Sequence, residues 1–460
     1  MNNKTSIIFT QSKDGRLGFK APNNNIDEYK LEELIQPKYL RKKEAELPQV
    51  SEPQIARHFI NLSVKNHHVD KNFYPLGSCT MKYNPKINDS VAMLNSFAGI
   101  HPEQNTASIQ GVLKVYYDLG KYLCEITGMD GITLQPSAGS QGELVGLLLM
   151  KKYHELKGNK NKKYIIIPKT AHGTNPASVI MSGYNVKQVI SDDRGRVCIN
   201  HLKELIDDET AGMMLTQPNT LGLFEDNIEQ ICEMIHAKDG LMYMDGANLN
   251  ALVGIAKPKL MGFDIMHINL HKTFSTPHGG GGPGAGPVAV NKKLVNFLPS
   301  PMPDFDEKNK KYFFNYDMPD SIGRVHSFNG NFGILVRALT YISILGKDGL
   351  KRVAQLAVLN ANYLKEILSE YYDIPNAEGS LHEFVISAVK QKDQGLKALD
   401  IGKSLLDYGF HAPTIYFPIN IPESIMIEPT ETESKQTLDS FADAMIQINN
   451  YINTKLDYLK

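Results

Sequence analysis

The stretch His-Ile-Asn-Leu-His-Lys-Thr-Phe (267–274) carries Lys272 at the point where an apolar strand runs into a turn. Upstream, Met-Asp-Gly-Ala-Asn (244–248) ends a second apolar strand with Asp245. Enough chain separates the two residues for a loop, a crossover and the next strand of a parallel sheet. Ligands of such sheets bind beyond the carboxyl ends of the strands, which is where we expect both side chains.

A lysine and an aspartate so placed could serve one pyridine ring, which is the protein's share of pyridoxal 5'-phosphate (PLP) chemistry. Lys272 would hold the carbonyl carbon as a Schiff base, and Asp245 would keep the ring nitrogen protonated. Each residue alone has a simpler interpretation, Asp245 as a turn residue before glycine and Lys272 as a solvated surface charge. The pair is more informative than either member.

A phosphate would need its own binding site, and Gln-Pro-Ser-Ala-Gly-Ser-Gln-Gly-Glu (135–143) predicts one. A strand ends here, small residues form a turn, and an amphipathic helix begins near Ser140. Backbone N–H groups at a helix N-terminus point outward and favour an anion. The residues expected around the phosphate are Ser137, Ala138, Gly139, Ser140 and Gln141. The alternative is a well-capped helix without a ligand.

Two further residues could contact the faces of the ring. His172, in Thr-Ala-His-Gly-Thr-Asn-Pro-Ala (170–177), could stack on it, although a histidine in a loop more often bonds the backbone. Ala247 is small enough to pack on the opposite face. The glycine loop at 279–286 formally matches G-x-G-x-x-G, but a strand follows it, so we interpret it as a tight turn or close backbone approach rather than a dinucleotide site.

From about residue 108, short apolar runs alternate with amphipathic helices, which predicts an α/β fold with a mostly parallel sheet. The predicted strands are Ile132–Leu134, Tyr164–Ile167, Val186–Ile190, Met213–Leu215, Leu241–Met244, Ile265–Leu270 and Val288–Val290. We expect an N-terminal arm that contacts a partner (1–105), a large PLP-binding domain (106–330) and a small α+β domain (331–460). In the last, helices at 333–345 and 350–371 precede short strands and a final helix.

Composition limits the possible classes of protein. The 460 residues carry a net charge of −1, which argues against a nucleic-acid or anionic-membrane partner. The longest apolar stretches, such as Val145–Met150, are too short to span a bilayer. Four cysteines without a C-x-x-C pair are typical of a reducing compartment, so we expect the cytoplasm and no structural metal.

Five motifs together resemble the glycine decarboxylase family, the P-protein of the glycine cleavage system. They are Tyr-Pro-Leu-Gly-Ser-Cys-Thr-Met-Lys-Tyr-Asn (74–84), Ala-His-Gly-Thr-Asn-Pro-Ala (171–177), Thr-Gln-Pro-Asn-Thr-Leu-Gly-Leu-Phe-Glu (216–225), Asn-Leu-His-Lys-Thr-Phe (269–274) and Met-Ile-Glu-Pro-Thr-Glu-Thr-Glu-Ser (426–434). The resemblance runs from about residue 60 to the C-terminus. It implies the PLP-dependent transferase fold of the aspartate-aminotransferase type (fold type I).

Undivided members of this family contain two related halves, and the chain resembles the C-terminal half, which carries the lysine. It is therefore similar to the lysine-bearing subunit of the split bacterial form. The resemblance implies a homologous, lysine-free subunit 1 as partner, in a heterotetramer with two copies of each chain. The implied activity is decarboxylation of glycine with transfer of the aminomethyl group to the lipoyl arm of H-protein and release of CO2.

The resemblance also assigns roles to residues. Lys272 matches the Schiff-base lysine, Asp245 the partner of the pyridine nitrogen and His172 the stacking residue. Further candidates around the phosphate or the substrate are His271 and Thr273, which flank the lysine, Ser78 and Cys79 of the 74–84 motif, and Arg324 as a possible partner of the glycine carboxylate. A structural ion pair is an equal alternative for Arg324.

Two other functions stay open at this point. The first is another PLP enzyme of the same fold, such as an aldolase or a desulfurase. The second is a non-catalytic scaffold subunit that binds a partner without chemistry of its own, although such a subunit would be expected to lose the lysine.

Overall fold

The computed structural model describes residues 5–23, 25–278, 284–376 and 378–452. The chain divides into two compact units, Met1–His68 and Val69–Lys460. Across the described ranges, no helix is both long and apolar enough to cross a membrane.

The first unit contains, among its described residues, the helices α1 (Leu31–Leu34) and α2 (Glu52–Ser63) and two 3₁₀ turns. Helix α2 begins where Oε1 of Gln54 accepts the backbone N–H of Ser51 at 3.0 Å, a capping contact that satisfies a donor left free at the helix end. Many large apolar side chains of this unit are exposed, among them Ile7, Phe9, Leu17, Phe19, Leu31 and Leu34.

The second unit is built on a sheet that has seven strands within the described ranges, in the order β1-β7-β6-β5-β4-β2-β3. These strands are β1 (Gly131–Thr133), β2 (Tyr164–Pro168), β3 (Asn185–Val189), β4 (Thr210–Thr216), β5 (Leu241–Gly246), β6 (Ile265–Ile268) and β7 (Val288–Val290). Strand β7 runs antiparallel to both of its neighbours, and the pairs from β6 to β3 are parallel. The mostly parallel sheet predicted from the sequence is confirmed.

Helices cover both faces of this sheet, because alternate residues of the central strands supply two separate cores. The helices along this part of the chain are α3 (Lys86–Ala92), α4 (Asn95–Ala98), α5 (Gln110–Thr127), α6 (Gly139–Leu156), α7 (Thr174–Met181), α8 (Ile199–Leu205), α9 (Ile228–His236) and α10 (Leu270–Thr273). Those that contact strands of the sheet include α5, α6, α7, α8 and α9. Met242 and Met244 of β5 join a buried cluster with Leu119 of α5. Tyr243, between them, joins a second cluster with Leu149 of α6.

The rest of the second unit contains a hairpin, a three-stranded antiparallel sheet and four helices within the described ranges. The elements are β8 (Met302–Asp306), β9 (Lys311–Asn315), α11 (Phe332–Leu368), β10 (Phe384–Ser387), α12 (Val389–Asp393), α13 (Ala398–Asp407), β11 (Thr414–Ile415), β12 (Ser424–Ile427) and α14 (Lys435–Tyr451). Gly346, at φ 60° and ψ −172°, interrupts α11 between the two helices predicted there. The sequence analysis did not predict the β8–β9 hairpin.

Residues 69–105 belong to the second compact unit. The physical reason is a set of contacts from this segment to later elements. Nε of Arg337 on α11 donates to Asp89 of α3 at 2.7 Å. The buried Lys82 donates through Nζ to the Thr273 carbonyl at 2.9 Å.

Candidate active site

A cavity of about 330 Å³ lies at the carboxyl ends of β4, β5 and β6. Parallel pairing brings its polar groups together, because Asp245 and His267 are register partners on adjacent strands and α10 follows β6 directly. Ten of the predicted site residues line it: Ser78, Cys79, Ala138, Gly139, Ser140, His172, Asp245, Ala247, His271 and Lys272. The structure therefore joins segments that are distant in sequence around one space.

Asp245 is a buried carboxylate held by neutral donors. Nδ2 of Asn175 donates to its Oδ2 at 3.0 Å, and the backbone N–H of Ala247 donates to its Oδ1 at 3.0 Å. Burial alone would raise the pKa of Asp245, but His267, these two hydrogen bonds and Lys272 hold it below its usual value. A carboxylate that stays ionised while buried can accept a hydrogen bond from a protonated ring nitrogen.

His267 connects Asp245 to the interior of the sheet. Its Nε2 lies 3.3 Å from Oδ1 of Asp245, and its Nδ1 lies 2.8 Å from the hydroxyl of Tyr243. Asp245 is ionised and can only accept, so the neutral ring presents its N–H on that side, and Nδ1 accepts from the Tyr243 hydroxyl, whose pKa burial raises well above the usual value. The proton of the neutral imidazole then resides on Nε2, facing Asp245. His267 was not among the predicted site residues, although the pairing of β5 with β6 in register indicates it.

Glu143 of α6 is a second buried carboxyl that the sequence analysis did not single out. It accepts hydrogen bonds from the hydroxyls of Thr174 at 2.7 Å and Ser178 at 2.9 Å. Burial first, and the charge of Asp245 second, raise the pKa of Glu143 to about 7. Of these two neighbouring carboxyls, Asp245 is therefore ionised while Glu143 keeps its proton up to about neutral pH.

Lys272 reaches back to the 74–84 motif. Its Nζ donates to the backbone carbonyl of Ser78 at 2.6 Å. Ser78 and Thr80 have positive φ angles of 66° and 45°, a conformation that non-glycine residues rarely adopt. Strained backbone of this kind persists only where surrounding contacts fix it, and it is frequent at functional sites.

The predicted phosphate end is formed by the start of α6. A Cβ on Gly139 would lie 2.2 Å from Oδ1 of Asn269, so only glycine fits there. Ser140 lines the cavity at the same helix terminus, where an anion is stabilised. Ser137 and Gln141 are not among the lining residues. Instead, Oε1 of Gln141 accepts both the backbone N–H of Ser137 at 2.7 Å and its hydroxyl at 2.9 Å.

The remaining predicted residues are placed as follows. His172 lines the cavity and is exposed, with its Nδ1 2.9 Å from the Thr174 hydroxyl. Thr273 is fully buried outside the cavity lining. Arg324 is exposed, donates to the Phe328 carbonyl at 3.1 Å and does not line the cavity. Of the glycine loop, 279–283 lie outside the described residues, and a Cβ on Gly284 would lie 2.8 Å from Nδ1 of His271.

Several buried polar atoms around the cavity find no hydrogen-bond partner among the described residues. They are Oγ1 of Thr216, Oδ1 of Asn269, Nδ1 of His271 and Nε2 of His278. Burial lowers the pKa of His271 to about 3 and that of His278 to about 4, so both rings are neutral. Because unpaired buried polar atoms are costly, this set is suited to a polar ligand that completes it.

Comparisons with known proteins agree with this geometry. The model of the family "Glycine cleavage system P-protein" matches residues 18–309, and that of "Glycine dehydrogenase, C-terminal domain" matches residues 353–457. A relative from Bacillus cytotoxicus, "Probable glycine dehydrogenase (decarboxylating) subunit 2", is 54% identical over 447 residues, which cover 97% of this chain and 91% of the relative. The chain belongs to the glycine cleavage system P-protein family. The resemblance inferred from its five motifs is confirmed.

Solved structures agree with the fold of a P-protein family member. An inhibitor-bound glycine decarboxylase (P-protein) superposes with a TM-score of 0.76 at 19% identity, covering 91% of this chain and 94% of the other. A glutamate decarboxylase from Lactobacillus brevis superposes with a TM-score of 0.67 at 14% identity, covering 93% and 97%. The predicted fold class, the PLP-dependent transferase fold of the aspartate-aminotransferase type, is confirmed.

Proposed function

We propose that this P-protein family chain is the PLP-bearing subunit of a glycine decarboxylase that transfers the aminomethyl group of glycine to the lipoyl arm of H-protein. The observation that carries the proposal is the meeting of Asp245 and Lys272 at one cavity, with a helix N-terminus beside them. Bound PLP supplies an electron sink for the bond that breaks at the Cα of glycine.

The cavity residues fit PLP in three respects. Asp245 stays ionised while buried, as the partner of a protonated ring nitrogen must. Gly139 and Ser140 at the start of α6 would hold the phosphate, and Asn269 and Thr216 offer unpartnered polar atoms to the same space within the described residues. His172 and Ala247 would contact the ring faces, and Nζ of Lys272 would form the covalent link.

The chain's own residues orient the reaction and exclude water rather than supply new chemistry. The Cα–carboxylate bond of glycine breaks to release CO2, and a bond forms between Cα and one sulfur of the lipoyl disulfide. The S–S bond breaks at the same time, and the second sulfur leaves as a thiolate that takes up a proton. Lys272, held by the Ser78 carbonyl at 2.6 Å, lies at the cavity wall, where it would release the cofactor to glycine and bind it again afterwards.

A homologous subunit 1 without the lysine is the partner we propose. The Bacillus cytotoxicus relative is named as a subunit 2, which supports a split enzyme. The first unit of this chain offers a surface for such a partner, because its large apolar side chains are exposed, among them Phe9, Phe19 and Leu34.

Exchange between the carboxyl group of glycine and bicarbonate, in the presence of lipoylated H-protein and subunit 1, tests the proposal. We expect Lys272→Ala to abolish both this exchange and the absorbance of lysine-bound PLP. Exchange that persists in Lys272→Ala would rule the proposal out. Turnover of another amino acid without H-protein would favour an aldolase or a desulfurase, and absence of PLP from the complex would favour a scaffold subunit.

A further inference from the structure

The turn Ser78-Cys79-Thr80 is held by two buried glutamates that do not line the cavity. Oε2 of Glu383 accepts the backbone N–H of Ser78 at 2.8 Å, and Oε2 of Glu428 accepts the backbone N–H of Thr80 at 3.0 Å. Neither glutamate side chain is exposed. The two glutamates extend the β10–β12 pair, whose last register partners are Phe384 and Ile427, so the strands themselves bring them together.

The charges around this carboxyl pair do not balance if both members are ionised. Carboxylate oxygens of Glu383 and Glu428 and a ring nitrogen of His382 lie within 4.8 Å of one another. Burial lowers the pKa of His382 to about 3, so this ring brings no charge. Lys272 is the cation that acts on both glutamates.

Among the described residues, the other groups that face the pair add no positive charge. Glu431 acts on Glu428 but is itself paired with Lys82 at 2.7 Å. Asn248 donates its amide to Oε1 of Glu383 at 3.2 Å, and burial raises the pKa of the neighbouring Cys79 thiol, which keeps it neutral. Two carboxylates against one ammonium leave one negative charge in a buried space, and a single shared proton removes it.

The titration behaviour of the pair agrees with this count. Burial, reinforced by Glu428, raises the pKa of Glu383 to about 8, and burial raises the pKa of Glu428 to about 7. At neutral pH the two carboxyls therefore hold a proton between them.

We propose that Glu383 and Glu428 are positioning residues for Lys272. The pair shares one proton and fixes the turn Ser78-Cys79-Thr80, so that the Ser78 carbonyl holds Nζ of Lys272. The protonation of the pair also changes with the charge of the lysine. When Nζ is an ammonium the pair carries one negative charge, and when Nζ is neutral the pair takes up a second proton. This inference rests on the proposed role of Lys272 in binding PLP.

The test follows the absorbance of lysine-bound PLP against pH in the complex with subunit 1, without glycine. Each of Glu383→Gln and Glu428→Gln keeps an acceptor for the turn and leaves one carboxylate, the same charge as the protonated pair. We expect the pH midpoint of the absorbance change to stay near that of the unsubstituted protein in either single variant. The double variant loses the negative charge, so its midpoint should fall by about one pH unit or more.

Glu225→Gln is the matched control, because Glu225 is a buried carboxyl whose pKa burial also raises to about 7, but it accepts the Val197 N–H at 2.9 Å instead of holding the turn. Its midpoint should not move. An unchanged midpoint in the double variant, with circular dichroism as for the unsubstituted protein, would overturn the inference. One equivalent of tightly bound divalent metal per chain that either single substitution removes would also overturn it, since the metal would replace the proton. Absence of lysine-bound PLP from the unsubstituted complex would instead contradict the proposed function.

Discussion

Nε2 of His267 lies 3.3 Å from Oδ1 of Asp245, and the two residues are partners in the register of adjacent parallel strands. Strand β6 places the His267 ring beside the carboxylate, and the Tyr243 hydroxyl of β5 fixes the other side of the ring at 2.8 Å from Nδ1. The sheet therefore helps to orient the site. An aspartate at a strand end is thereby held in one orientation and one ionisation state.

The first prediction concerns this contact. His267→Phe removes the imidazole that lies 3.3 Å from Asp245 and helps to hold the pKa of its carboxyl low, and each unit of that pKa corresponds to about 1.4 kcal/mol. We expect the affinity for PLP to fall about 10- to 100-fold, measured by equilibrium titration of the purified chain with PLP. Tyr243→Phe, which removes only the distant hydroxyl, should have a smaller effect. Equal affinities in His267→Phe and the unsubstituted protein would exclude a role for His267 in holding the carboxylate.

The second prediction concerns the start of α6. In Gly139→Ala the new Cβ would lie 2.2 Å from Oδ1 of Asn269, so either the helix start or the asparagine must move. PLP affinity should fall at least about tenfold, since a displaced helix terminus no longer meets the phosphate. Gly111→Ala in α5 is the control, because no heavy atom of the described residues, apart from its chain neighbours and its own helix backbone, lies within 4 Å of its Cβ position. That variant should keep its PLP affinity and gain about 0.5–1 kcal/mol in free energy of unfolding.

The sequence predicted Asp245, Lys272 and a helix start near Ser140 because each follows directly from a strand pattern or a turn. His267 needed one further step, the register of β5 against β6. Glu383 and Glu428 could not be predicted from local patterns, since each is an acidic residue beside an apolar strand and nothing nearby indicates burial. Their role appears only when residues 78–80, 272, 383 and 428 meet in space.

The third prediction concerns the buried ion pair of Lys82 and Glu431, at 2.7 Å. Nζ of Lys82 also donates to Oδ1 of Asn250 and to the Thr273 carbonyl, both at 2.9 Å. Lys82→Met leaves Glu431 buried without its cation, so we expect urea denaturation to show a loss of about 3–5 kcal/mol. Lys86→Met is the control, because its pair with Asp70 at 2.7 Å is exposed.

Since exposed pairs contribute about 1 kcal/mol or less, the control should be close to the unsubstituted protein. Equal losses in the two variants would show that burial does not set the strength of the Lys82 pair.

The last prediction is a pH dependence of stability. Burial raises the pKa of Glu225 from 4.5 to about 7 in the folded chain. Between these values the folded state binds a proton that the unfolded state has released, so this residue makes the free energy of unfolding fall as pH rises. The slope is at most about 1.4 kcal/mol per pH unit, and it ends above the folded pKa.

Glu225→Gln keeps an oxygen for the Val197 N–H but removes the titration. The free energy of unfolding of this variant, relative to that of the unsubstituted protein, should therefore increase from about pH 5 to about pH 7 and stay constant above. Urea unfolding at matched salt measures this difference. Other titrating groups cancel in this difference, because both proteins share them. Curves that run parallel across the whole range would mean that Glu225 is already ionised in the folded chain near pH 5, and that the hydrogen bond from Val197 outweighs its burial.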